Sequence, residues 1–142
     1  MSTALVVVPR RIGRSILAVA AALLANASLA LALDQIFHVI GVYPPWGEPM
    51  PAAAPNALAL AYRLVLGVAA GWIVARLAPY APWRHAAVLG ALATVLASAG
   101  AVVAITGKDL GPDWYPIALA VSAFPTVWAG AMRHERGRGR RR

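Results

Sequence analysis

Four stretches of this chain are long, apolar and almost free of charge: residues 15–33, 57–75, 86–106 and 115–132. Three contain no charged residue, and the second contains only Arg63. A helix needs ~20 mainly apolar residues to cross the hydrocarbon of a bilayer. A helix in a soluble bundle would also carry a polar face, and none of the four does. The pattern predicts an all-α integral membrane protein, with four transmembrane helices in an antiparallel bundle. The expected helices cover about 15–43, 56–78, 85–106 and 115–132. A basic N-terminus (1–14) precedes this membrane domain (15–132), and an arginine-rich tail (133–142) follows it. Composition agrees, since 13% of residues are charged, against about 25% in soluble domains.

Composition also excludes several chemistries. With no cysteine there is no disulfide framework, thiolate metal site or cysteine nucleophile. Three scattered histidines give zinc little support. No Ser-His-Asp order, paired-carboxylate site or phosphate-cradling glycine loop emerges, so neither an enzyme nor a cofactor is expected. The net charge of +8 invites a nucleic-acid reading. Its placement beside the spans fits anionic lipid head groups better, at about 1 kcal/mol per arginine. The tail "RHERGRGRRR" has no interleaved aromatics, as a base-stacking surface would need. Its glycines suggest a flexible segment.

The basic residues also orient the chain. Arg10, Arg11 and Arg14 precede the first span, and Arg76 and Arg84 flank the link between the second and third. Arg133, Arg136, Arg138, Arg140, Arg141 and Arg142 follow the fourth. The other two links hold one basic residue, Lys108, with Glu48, Asp109 and Asp113. Basic residues stay cytoplasmic, so both termini are expected inside a bacterial inner membrane. Tyr43, Trp46, Trp114 and Tyr115 would form an outer aromatic belt, and Trp72, Tyr80, Trp83 and Trp128 an inner one. A competing reading treats the first span as a signal peptide with an A-x-A site at Ala30-Leu31-Ala32, and Arg10-Arg11 as a weak twin-arginine lookalike. Continuing apolar character through "IFHVIGVY" argues against cleavage.

The links are punctuated by turn residues. "YPPWGEPMPAAAPN" holds five prolines and reads as a stiff outer connection, with Asn56 as N-cap of the second helix. "APYAPWRH" is tight enough for an antiparallel hairpin. In "TGKDLGPDWYP", Pro116 fits the first turn of the fourth helix, and Asp113 favours its N-terminus. Pro125 should bend that helix. Gly67 and Gly71 in "GVAAG" permit close helix contact without naming the partner helix.

The residues most in need of explanation are Asp34, His38 and Arg63. If the first helix runs to Tyr43, Asp34 lies ~13 Å inside its outer end, and Arg63 lies ~10 Å inside the second helix counted from Asn56. Antiparallel neighbours would bring the two to similar depths, and His38 shares the face of Asp34. An isolated charge there costs ~2.5–3.5 kcal/mol. Tyr62 is expected to point about 100° away from Arg63. Three readings stay open: an ion pair locking two helices, a wet helix end carrying Asp34 and His38, or a proton- or anion-linked site.

The strings "LAYRLVLGVAAGWIVARLAP", "WRHA" and "LGPDWYPIALAVSAFPTVWAG" resemble those of small four-helix bacterial inner-membrane proteins with no assigned activity. The resemblance spans most of 15–132 and implies the fold alone. Small multidrug exporters also carry one acidic residue in their first helix. Here Asp34 lies towards the outer end, Arg63 can neutralise it, and the loop and tail are longer. The leading expectation is therefore a structural or accessory component, in a homo-oligomer or larger membrane complex. The alternative is a small oligomeric transporter using Asp34, His38 and Arg63.

Overall fold

The structure is a computed structural model and describes residues 11–107 and 110–139. Arg10, Lys108, Asp109, Arg140, Arg141 and Arg142 lie outside the described residues. The fold is all-α: α1 (Ile12–Val39), α2 (Ala53–Leu77), α3 (Pro82–Thr106) and α4 (Trp114–Gly139). All four are long and apolar enough to span a membrane.

The helix ends differ from expectation for local reasons. α1 stops at Val39, not Tyr43, because Gly41 adopts a left-handed φ of 75°. The Gly41 amide then donates to the His38 carbonyl (3.2 Å) and the Val42 amide to the Phe37 carbonyl (2.9 Å). These two bonds form a Schellman closure, which glycine favours. α2 starts three residues early, at Ala53, with Pro55 inside its first turn, so Asn56 is not the N-cap. Proline there removes an amide that has no helical partner anyway. α3 likewise starts at Pro82, which follows Ala81 in a left-handed conformation (φ 37°). α4 runs unbroken past Pro125 and on through Arg133, Arg136 and Arg138, so the described part of the tail is helical, not flexible. Cations in a last helical turn complement the helix dipole.

The two ends of the bundle are distinct. At one, Ser15 near the start of α1 approaches Tyr80 in the α2–α3 link (3.5 Å). At the other, the α1–α2 and α3–α4 links meet where the Met50 amide donates to the Leu110 carbonyl (2.6 Å). The described arginines other than Arg63 belong to the first end or its flanks.

Packing is led by small residues. The core holds Ala18, Ala22, Ala70, Ala75, Ala86 and Ala131 around Val74, Leu89 and Val127. Large side chains such as Leu17, Leu24, Val65, Val95 and Val121 point outwards. That inversion suits lipid, where association rests on close backbone approach and not on hiding apolar surface. The tightest seam joins α2 to α4, two helices that run in the same direction. Gly67 and Gly71 face Thr126 and Val127, while Gly130 faces Val68 and Trp72. The partner of the "GVAAG" motif is thus α4. α1 lies against α2 and α3, and makes no close backbone contact with α4 among the described residues.

Candidate functional site

Asp34 is 6% exposed, near the end of α1. One carboxylate oxygen accepts from the Tyr62 hydroxyl, and the other accepts from Nη2 of Arg63. Both donors belong to α2, so a single carboxylate ties α1 to two consecutive residues of its neighbour. Tyr62 is the residue that sequence spacing pointed elsewhere. Consecutive helical positions do diverge by ~100°, but the carboxylate sits over the groove between them and its two oxygens reach one each. An adjacent Tyr-Arg pair opposite an acidic residue was the available signal.

Arg63 is held from several sides. Its guanidinium carbon lies 5.9 Å from the ring centre of Tyr62 and 6.0 Å from that of Tyr115 on α4. These are cation–π distances, and such contacts strengthen away from water. Its Nε is buried with no hydrogen-bond partner among the described residues. Phe37 packs on Tyr62 (5.7 Å between centroids) and on Tyr43 (5.2 Å), extending the aromatic wall towards the α1–α2 link. Tyr43, placed in the outer belt by sequence, is instead buried at 5% exposure. Burial raises the pKa of its phenol.

His38 does not hydrogen-bond to Asp34 or Arg63. Its Nδ1 donates to the Pro44 carbonyl, and its ring lies 4.1 Å from that of Trp46. Trp46 Nε1 in turn donates to Gln35 (2.9 Å). His38 therefore pins the proline-rich link back onto α1. Asn56 pins the other end of that link: its Nδ2 donates to the Met50 and Ala52 carbonyls, each at 2.8 Å. Asn56 thus serves two backbone acceptors from inside α2 instead of capping it.

Two cavities flank the ion pair. An outer one of about 510 Å³ lies beneath the proline-rich link, with His38, Asn56 and Tyr115 in its wall. An inner one of about 420 Å³ lies deeper in the bundle and includes Asn26, Ser122 and Thr126. Asp34, Arg63, Leu96, Ala97 and Leu119 line both, so the pair stands at the partition between them. The Asn26 side-chain oxygen is buried without a hydrogen-bond partner among the described residues. Asn26 and Ala30 lie on the stripe that leads to Asp34, and both line the inner cavity. Among the described residues no group of three or more His, Asp or Glu side chains could hold a metal ion.

Comparison with protein families, with curated proteins and with solved structures finds no match for this chain.

Proposed function

We propose that this protein is a structural or accessory component of a bacterial inner membrane, with both termini cytoplasmic and its arginine-rich end against anionic head groups. The arginine asymmetry supports the orientation. The observation that carries the functional reading is the closed hydrogen bonding of Asp34, whose two oxygens are both engaged by α2. A carboxylate held this way fastens a helix. It also leaves α1 with a broad apolar outer face for lipid, a second copy or a larger complex.

The deciding experiment is a thermal-unfolding double-mutant cycle in nanodiscs. Breaking a buried pair by removing one partner costs about 3–5 kcal/mol, because the other charge stays buried. Arg63→Ala and Asp34→Ala should each destabilise by about that much, and the double variant should recover a large part. Additive losses would remove the lock reading.

A small transporter is the second reading, and one observation favours it: Asp34 and Arg63 line both cavities. It requires Asp34→Asn to abolish proton- or anion-coupled flux in proteoliposomes while insertion and folding persist.

A further inference from the structure

A third cavity, of about 570 Å³, opens between α1 and α3 at the arginine-rich end. Its chemistry is divided along its length. Ile16, Val19 and Leu23 of α1 face Val88 and Leu92 of α3, giving two apolar walls. Ser15 to Leu23 spans eight residues, ~12 Å of helix, so the walls run from the water boundary well into the hydrocarbon. At the mouth stand Ser15, Tyr80, Arg84 and His85.

Ser15, Tyr80 and His85 form one polar cluster, and Arg84 shares the cavity wall with them. The Ser15 and Tyr80 hydroxyls lie 3.5 Å apart, and the Tyr80 ring meets the His85 ring edge-on at 5.2 Å. His85 is 6% exposed, and its Nδ1 faces the Ala81 carbonyl at 3.3 Å. Arg84 is exposed and lies 5.1 Å over Trp83, itself 46% exposed. An indole–guanidinium pair at a membrane boundary keeps a cation at head-group level. No acidic side chain lines the cavity among the described residues. A positive, hydroxyl-bearing mouth above two apolar walls complements a molecule with a negative head and a hydrocarbon tail.

We propose that the α1–α3 groove binds one anionic phospholipid, its phosphate on Arg84, Tyr80 and Ser15 and an acyl chain between the apolar walls. The groove turns a general attraction of arginines for anionic lipid into a defined site. It depends on the membrane seating of this end and not on the Asp34–Arg63 lock. The site would also supply packing where α1 and α3 themselves touch only sparsely.

The test is lipid retention by native mass spectrometry of the full chain, released from nanodiscs of equal phosphatidylglycerol and phosphatidylcholine. One head-group contact worth ~1 kcal/mol corresponds to a ~5-fold preference, so phosphatidylglycerol should be retained ~5-fold over phosphatidylcholine. Arg84→Gln should abolish that preference. Arg76→Gln, at the same end but outside the groove, should keep it. Val88→Trp should occlude the groove and lower retention of both lipids; Ile16→Trp, from the opposite wall, should do the same if the first variant folds poorly. An undiminished preference in Arg84→Gln would overturn the site. So would an equal loss in Arg76→Gln, which would mean a diffuse charge effect, or unchanged retention in both tryptophan variants.

Discussion

Gly71 of α2 lies so close to the Val127 carbonyl of α4 that a Cβ at position 71 would overlap the carbonyl oxygen. The same holds in reverse for Gly130 of α4 against the Val68 carbonyl of α2. The seam therefore has glycine on both sides, and the two backbones touch. Gly71→Leu and Gly130→Leu should each lower the melting temperature strongly, since overpacking alone costs about 1–3 kcal/mol and here backbone must move. At Gly100 in α3 an added methyl group would meet nothing within 4 Å, so Gly100→Ala should gain about 0.5–1 kcal/mol by helix propensity. Opposite signs in thermal melts of Gly71→Leu and Gly100→Ala would confirm that contact, and not glycine itself, sets the response.

Tyr62→Phe removes a single hydroxyl from Asp34 and leaves Arg63 in place. A hydrogen bond to a charged group contributes about 1.5–3 kcal/mol, so the loss should fall in that range and below that of Arg63→Ala. Equal losses would mean that the tyrosine holds the carboxylate as strongly as the arginine does.

Asn56→Ala leaves the Met50 and Ala52 carbonyls without their amide donor. The expected cost is about 1–3 kcal/mol, and it should be local. Hydrogen exchange should accelerate across residues 40–52 while the α2–α4 seam keeps its protection. Uniform acceleration would show that Asn56 supports the whole bundle.

Ala81 adopts a left-handed backbone in the four-residue link between α2 and α3. That conformation costs a non-glycine residue about 1–2 kcal/mol, and glycine's extra unfolded-state entropy returns about 0.4–1 kcal/mol of the relief. Ala81→Gly should therefore stabilise by about 0.5–1 kcal/mol, read as a higher melting temperature. A lower one would show that the link tolerates this φ without strain.

The spans are legible because uncharged runs of this length have few alternatives, whereas the similar depths of Asp34 and Arg63 allow a pair without deciding between it and a wet helix end. Hydropathy overruns the end of α1, because apolar character continues past Gly41, where backbone geometry ends the helix. Helical phase alone points Tyr62 away from Arg63, yet a carboxylate has two acceptors and can span the groove between them. The role of Asn56 depends on where the proline-rich link folds, which no local signal encodes. The α2–α4 seam needed the third dimension: glycine spacing marks a contact surface, but only the fold assigns the surface opposite.

Asp34 and Arg63 are separated by 29 positions in the chain. During synthesis at ~5–20 residues per second, α1 would enter the membrane seconds before its counter-charge has been made. α1 is one of the two most apolar spans and brings one acidic residue near its end, whereas α2 brings a permanent cation. The order of manufacture thus sets the acid as bait, already in lipid, for the arginine that follows. Reversing the two residues would keep the charge pair in the finished fold while asking the first helix to wait alone with a cation. Insertion yield, more than final stability, is where that exchange would tell.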